Sequence, residues 1–85
     1  MQVIIESKVD DFLARQLKKD IENINKIKIF FSELENASNP LQLNNVEKIQ
    51  RAKNHWHWTI TKYHIIGEVI SNISAIKIIK IYKHK

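Results

Sequence analysis

The sequence predicts an α+β fold in which an N-terminal strand and two helices accompany a twisted antiparallel sheet of about four strands. Three observations indicate this class. The chain begins with the short β-branched run Met1–Glu6, continues with apolar residues at helical spacing, and ends with alternating Ile-, Val- and Trp-rich segments after Pro40. At 85 residues, the chain is expected to form one domain spanning residues 1–85.

Two helical segments are expected between the first strand and Pro40. Ser7 stands at the predicted N-cap of the first helix, and Asp10 takes the acidic position of a capping box. Leu17 of the first segment also continues the apolar spacing of the second segment towards the N-terminus. The two segments are therefore expected to form either a helical hairpin or one bent helix. The second helix should end near Asn36–Asn39, since proline disfavours helical backbone before it. Apolar residues at three- and four-residue steps define the helices: Phe12, Leu13, Leu17, then Ile21, Ile24, Ile27, Phe31 and Leu34.

The second half of the chain is predicted to be a run of hairpins. Thr61-Lys62 and Ser71–Ser74 are the expected connections. Trp56, Trp58 and Ile60 share one face of their strand, and we expect them to join the helical stripe in the core rather than to stack on RNA. The predicted strands are Val46–Arg51, His55–Thr61, Tyr63–Ile70 and Ala75–Tyr82.

The positive charge lies in this second half. Residues 1–43 carry six basic and seven acidic side chains, whereas residues 44–85 carry eight basic and two acidic ones, together with all four histidines. An excess of this kind is typical of a protein that binds a polyanion or an acidic partner. The chain has no cysteine, which excludes disulfides and thiolate chemistry.

Several classes of function are not expected. The sequence shows no glycine-rich phosphate loop, paired-carboxylate motif or Ser/His/Asp signature. His55 and His57 have no nearby cysteine or carboxylate with which to begin a metal site, so we expect neither a metal nor a cofactor. No apolar run reaches the roughly 18 residues that span a bilayer, and the N-terminus lacks a signal peptide's basic segment. A cytoplasmic protein without membrane contact is therefore expected.

Residues 45–67, which read NVEKIQRAKNHWHWTITKYHIIG, resemble the core of the RelE/ParE toxin superfamily. Its RelE-like branch carries a pattern close to N-I-K-K-L-K-G-Y-x-N-Y-Y-R-I-R-I-G-D-Y-R-I-G. Residues 78–85, which read IIKIYKHK, resemble the closing L-I-R-x-x-H-R-K of the family. The resemblance implies a RelE-like fold and a toxin of a type II toxin–antitoxin pair.

Several family positions are changed in this chain. Lys48 keeps a family lysine and Lys80 keeps a basic residue on the last strand. Four family arginines are replaced, three by histidine and one by threonine: His57, Thr59, His64 and His84. Gln50 and Arg51 replace a lysine and a glycine of the family pattern. Lys83 occupies the position where the family usually has a histidine.

Similar RelE-like proteins are ribosome-dependent messenger-RNA endonucleases, in which the RNA 2′-hydroxyl attacks the adjacent phosphate. Such chemistry needs charge stabilisation, which Lys supplies, and proton transfer, which an imidazole with a pKa near 6.5 can supply. Lys48 and Lys80 are the expected phosphate clamps, and His57 or His84 the expected base and acid. We expect one basic groove to hold the candidate catalytic residues Lys48, His57, His64, Lys80 and His84. The candidate RNA-binding residues are Arg51, Lys53, Lys62, Tyr82, Lys83 and Lys85, with Tyr82 stacking on a base.

The resemblance leaves three functions open. The first is a messenger-RNA interferase that acts in the ribosomal A site and is neutralised by a cognate antitoxin in a hetero-oligomer. The second is a ParE-like inhibitor of DNA gyrase without nuclease chemistry, which the loss of arginines favours. The third is a degenerate relative that only binds its antitoxin. Whether the chain is an enzyme is therefore open at the level of sequence.

Overall fold

Two helices and five strands make up the fold in a computed structural model that describes residues 1–39, 41, 43 and 45–83. A short 3₁₀ turn, Ser71–Ile73, joins the last two strands. In chain order the elements are β1 (Gln2–Ile5), α1 (Ser7–Leu17), α2 (Ile21–Asn36), β2 (Val46–Lys48), β3 (His55–Ile60), β4 (Tyr63–Ile70) and β5 (Ala75–Lys83). The predicted α+β class is confirmed.

The strands form a single mixed sheet in the order β1-β5-β4-β3-β2. Strands β2 to β5 are consecutive antiparallel neighbours. Strand β1 runs parallel to β5, in a register from Gln2 opposite Ala75 to Ile5 opposite Ile78. The sheet therefore has five strands rather than about four, and it is not purely antiparallel. A strand pattern gives no information on which distant strand it pairs with, so this contact is settled by the tertiary structure.

The helix start differs from the prediction. Helix α1 begins at Ser7, its N-cap is Glu6, and no side chain caps it. The predicted capping box at Ser7 and Asp10 is therefore wrong. The Glu6 N–H donates to the carbonyl of Ile78 at 3.2 Å, which fixes Glu6 at the end of the sheet, so the chain turns into the helix one residue earlier. Helices α1 and α2 are separate, as in the hairpin alternative, and α2 ends at Asn36.

The predicted second-half strands are close to the observed ones, with one exception. Strand β2 ends at Lys48, three residues before the predicted end at Arg51. The Lys48 ammonium donates to the carbonyls of Ile49 and Ala52, at 3.2 and 3.1 Å, and so supports a turn at the place where the strand was expected to continue. Thr61 has a positive φ of 54° and lies in the turn after β3.

The core lies between the helices and one face of the sheet. Trp58 is fully buried, and its ring lies 5.9 Å from that of Phe30. Trp56 and Ile60 pack at the margin of this core. Ile21 does not join it, although the stripe included this residue: Ile21 is 64% exposed, because the buried side of α2 begins one turn later at Ile24.

Gly67 of β4 provides room for the Trp58 indole. A Cβ atom at this position would lie 2.9 Å from Trp58 Cζ3 and 3.0 Å from Ile76 Cγ2. Both distances are shorter than normal carbon–carbon contacts, so the close packing here requires a residue without a side chain at position 67. Among the described residues, no helix is both long and apolar enough to cross a membrane.

Candidate functional site

The sheet face opposite the helices carries most of the candidate catalytic residues. Directly paired residues point to the same side of a sheet, and Trp58 marks the side that the helices cover. His57 alternates with Trp58 along β3 and therefore points the other way. On β4 and β5, His64 pairs with Tyr82, and Ile66 pairs with Lys80. We call this surface the outer face, and it brings His57, His64, Lys80 and Tyr82 together.

His57, His64 and Tyr82 form a row across three strands, which we call the His–Tyr row. His57 Nε2 and His64 Nδ1 are 2.7 Å apart, so one ring donates a hydrogen bond to the other. The two rings are inclined by 13° with centroids 4.9 Å apart. Because the nitrogens are much closer than the centroids, the rings meet edge to edge rather than face to face. His64 and Tyr82 are also nearly parallel, at 14° and 4.9 Å.

The hydrogen bond between the imidazoles has a chemical consequence. It needs one nitrogen that carries a hydrogen and one that accepts it. The pair can therefore hold a shared hydrogen, but two fully protonated rings would place two donors against each other and break the bond. Both histidines are only half-buried. A ligand on the outer face can therefore reach the pair.

A cation lies at the Tyr82 end of the row. The Lys80 ammonium is 5.4 Å from the centroid of the Tyr82 ring, within the range of a cation–π contact. An irregularity in the β4–β5 pairing, at Ile66 and Gly67, shifts the register of β5 there. This shift places Lys80 and Tyr82 on the outer face, although Ile78 and Ile81 both point to the core.

Lys48 is not part of this group. It pairs with Trp56, so it lies on the helix-facing side of the sheet, with its ammonium 5.6 Å from the centroid of the Trp56 ring. That ammonium also donates hydrogen bonds to the backbone carbonyls of Ile49 and Ala52. His84, which was expected to complete the groove, lies outside the described residues.

The candidate RNA-binding residues are dispersed. Arg51 and Lys53 are exposed in the connection between β2 and β3. Lys62 forms an ion pair with Asp20 at 3.2 Å. Lys83 is exposed and pairs with Tyr63, on the helix-facing side. Lys85 lies outside the described residues. Of the five described members of this set, only Tyr82 belongs to the row.

Sequence reasoning overlooked the acidic residue that lies opposite His57 on the outer face. Glu47 of β2 pairs directly with His57 and is exposed. Its position follows from the β2–β3 register, which the sequence pattern left open because β2 was predicted too long. Among the described residues, no three His, Asp or Glu side chains are placed to hold a metal ion.

Asp20 ties the helices to the end of the sheet. Its carboxylate accepts a hydrogen bond from the Tyr63 hydroxyl at 2.8 Å and one from the Asn23 amide at 3.1 Å, and it pairs with Lys62. The bond from Tyr63 is the main cause that lowers the pKa of Asp20 to about 2, with Asn23 and Lys62 adding to it. Burial, helped by the Asp20 charge, raises the pKa of Tyr63 to about 12. The tyrosine therefore stays a donor, and the aspartate an acceptor, over the normal pH range.

This contact predicts an acid-sensitive fold. A carboxyl whose pKa is lower in the folded chain stabilises it above its unfolded pKa, and the contribution disappears as pH falls from about 4 to about 2. We expect Asp20→Asn to lower the melting temperature at pH 7 and to flatten its fall over this range, as measured by circular dichroism. Asp11→Asn, at an exposed site in α1, is the matched control and should retain the slope. An unchanged slope in Asp20→Asn would contradict the assignment.

Comparisons with known proteins establish a RelE-like fold. Neither the models of protein families nor the curated proteins contain a match to this chain. Among solved structures, the archaeal RelE–RelB complex from Pyrococcus horikoshii OT3 contains a chain with a TM-score of 0.76 and 21% identity, covering 96% of this chain and 92% of that one. The RelB–RelE antitoxin–toxin complex from Methanococcus jannaschii contains one with a TM-score of 0.70 and 20% identity, covering 94% and 88%. At these identities the likeness shows that the chain shares their fold.

Proposed function

We propose that this protein is the toxin of a type II toxin–antitoxin pair and cleaves messenger RNA in the ribosomal A site. The observation that carries the proposal is the His57–His64 hydrogen bond on the outer face, in line with Tyr82 and Lys80. The RelE-like fold supports it, because similar chains occur in RelE–RelB complexes. A cognate antitoxin would hold the protein inactive in the cytoplasm.

The proposed reaction is an internal transphosphorylation of RNA. The 2′-oxygen forms a bond to the adjacent phosphorus, and the bond from phosphorus to the 5′-oxygen of the next nucleotide breaks. The products are a 2′,3′-cyclic phosphate and a 5′-hydroxyl. A base removes the proton of the 2′-hydroxyl, and an acid protonates the departing 5′-oxygen, so the proton count balances.

The His57–His64 pair is proposed to perform the proton transfers. The bond between the rings uses His57 Nε2, so His57 Nδ1 is the nitrogen through which we expect this ring to meet RNA. A hydrogen-bonded partner fixes the tautomer and orientation of an imidazole, as a catalytic base requires. His64 thereby positions His57 and takes up charge as the proton moves.

Lys80 and Tyr82 are proposed to hold the substrate. The Lys80 ammonium can neutralise charge that develops on the phosphate, and the 40% exposed Tyr82 ring offers a surface on which a base can stack. Lys48, which was expected to be a second phosphate clamp, does not enter this proposal because it faces the other side of the sheet.

One experiment tests this function against its alternatives. The protein is induced in a bacterium that lacks the antitoxin, messenger-RNA 5′ ends are mapped, and gyrase supercoiling is assayed. We expect new 5′ ends within translated messages, which a His57→Ala/His64→Ala variant fails to produce. His55→Ala, on the same strand and face but outside the row, is the matched control and should retain them.

The other outcomes contradict the proposal in different ways. Inhibition of supercoiling without new 5′ ends would identify a ParE-like gyrase inhibitor. Soluble protein that causes neither effect would identify a relative that only binds its antitoxin. The first alternative draws support from Thr59 and His64, which occupy positions where the family carries arginine.

A further inference from the structure

The His57–His64 contact brings two metal-ligating nitrogens together on the outer face. His57 Nε2 and His64 Nδ1 lie 2.7 Å apart, and the two rings are inclined by only 13°. Both side chains are half-buried, so an ion can approach them from solvent. Imidazole nitrogen is a donor that suits zinc, nickel and copper. The chain has no cysteine, so no thiolate competes with the imidazoles for such an ion.

The distance between these nitrogens is close to that of a metal chelate. With metal–nitrogen bonds of about 2.0–2.1 Å, adjacent ligands lie about 2.9 Å apart in a square-planar site and about 3.3 Å apart in a tetrahedral one. The observed 2.7 Å has to increase by about 0.2 Å for square-planar copper and by about 0.6 Å for tetrahedral zinc. Each ring must also rotate, because the hydrogen bond makes the nitrogens face each other rather than a common ion. Side chains on an open surface make such adjustments readily.

Metal binding and the hydrogen bond exclude each other. A neutral imidazole carries one hydrogen, and its other nitrogen is the one that binds a metal. In the hydrogen-bonded pair, one ring holds its hydrogen on the nitrogen that faces the other ring. When an ion binds, that hydrogen moves to the far nitrogen of the same ring. Both facing nitrogens then offer lone pairs to the ion, and no proton leaves the pair.

The tertiary structure supplies what the sequence pattern did not. His55 and His57 were judged unsuited to begin a metal site, because no ligand of another kind was near. The β3–β4 register brings His64 to His57 instead, and the β2–β3 register places the exposed Glu47 directly opposite His57. The Glu47 carboxylate offsets part of an ion's charge. Since no group of three ligating side chains is found among the described residues, water would fill the other positions.

We propose that His57 and His64 form a two-imidazole site for a divalent transition-metal ion, with Cu²⁺ bound more tightly than Zn²⁺, and that the bound ion inhibits the candidate site. Copper needs the smaller movement of the rings, and it also has the highest affinity of the first-row divalent metals for nitrogen sites. Metal binding stands on the geometry of the pair. Inhibition rests on the proposed function, because the ion occupies the nitrogens between which the proton is proposed to move.

Calorimetric titration of the full chain with CuCl₂, in a buffer that does not bind metals, tests the site without RNA. We expect saturable Cu²⁺ binding that His57→Ala and His64→Ala each weaken by about tenfold or more, since even groups beyond the ligands have effects of this size at metal sites. Electron paramagnetic resonance of the complex should show nitrogen ligands in a tetragonal field. His55→Ala, on the same face of β3, is the matched control and should bind Cu²⁺ as the original chain does. Mg²⁺, which prefers oxygen ligands, should not bind.

Three binding results would overturn the proposed site. Undiminished Cu²⁺ binding in His57→Ala and His64→Ala would place the ion elsewhere. Loss of binding in His55→Ala but not in His64→Ala would identify His55 and His57, two positions apart on one strand, as the chelating pair. Tighter binding of Zn²⁺ than of Cu²⁺ would contradict the square-planar geometry.

RNA cleavage tests the inhibition separately. We expect Cu²⁺ at saturating concentration to stop cleavage of a ribosome-bound message and EDTA to restore it. Cleavage that continues with Cu²⁺ bound would refute the inhibition. A chain that binds Cu²⁺ through both histidines but never cleaves RNA would refute the proposed function and leave the metal site intact.

Discussion

Replacing Trp58 with alanine is expected to destabilise the fold more than any other single core change. The indole is fully buried, faces Phe30, and fills the space that Gly67 leaves open. Truncation of a buried tryptophan costs about 3–5 kcal/mol, because contacts are lost and a cavity remains. A chain of 85 residues has a total stability of roughly 4–13 kcal/mol, so Trp58→Ala should remove a large part of the free energy of unfolding.

Urea unfolding followed by circular dichroism measures this effect, and Trp58→Phe is its matched control. The Trp58 indole N–H is buried without a hydrogen-bond partner among the described residues, and such a group costs about 1–3 kcal/mol. Phenylalanine removes this cost and keeps an aromatic ring in place. We therefore expect a much smaller loss for Trp58→Phe. Equal losses in both variants would contradict the account of the packing.

Replacing either histidine of the row is expected to produce the largest effect on the proposed RNA cleavage. General acid–base catalysis contributes about 10²- to 10⁴-fold to a rate, so His57→Ala should slow RNA cleavage on programmed ribosomes by a factor in this range. His64→Ala should have a comparable effect, because it removes the ring that orients His57. Primer extension on a ribosome-bound message measures the rate.

The double variant shows whether the two rings act as one unit. If they do, His57→Ala/His64→Ala should be no slower than the slower single variant, since groups that act together give strongly non-additive effects. His55→Ala should cleave RNA within about twofold of the original rate, because His55 lies outside the His–Tyr row. Unfolding curves for every variant separate loss of chemistry from loss of fold. Fully additive losses would contradict a shared role.

Much of the fold could be predicted because local periodicity reports which side of an element is buried. The stripe from Ile24 to Leu34 marked the buried side of α2, and the alternation of Trp58 with His57 marked the two sides of β3. The start of α1 was not predictable in the same way. It depends on a hydrogen bond between Glu6 and Ile78, which are 72 positions apart.

The candidate site was only partly predictable for a related reason. Strand alternation predicts which residues of one strand share a face, but not which residues of the next strand lie opposite. The meeting of His57 with His64 depends on the β3–β4 register, in which Thr59 pairs with His64. Lys48 was expected in the same groove, but the short β2 and its register place it beside Trp56 instead.

The sequence by itself determined the α+β class, the approximate helices and strands, and the concentration of basic and imidazole side chains in residues 44–85. These properties follow from local periodicity and composition. Only the tertiary structure decided that β1 joins β5 in parallel and that His57 and His64 share a hydrogen bond. The first is a pairing between segments far apart in the chain, and the second depends on the register of β3 against β4.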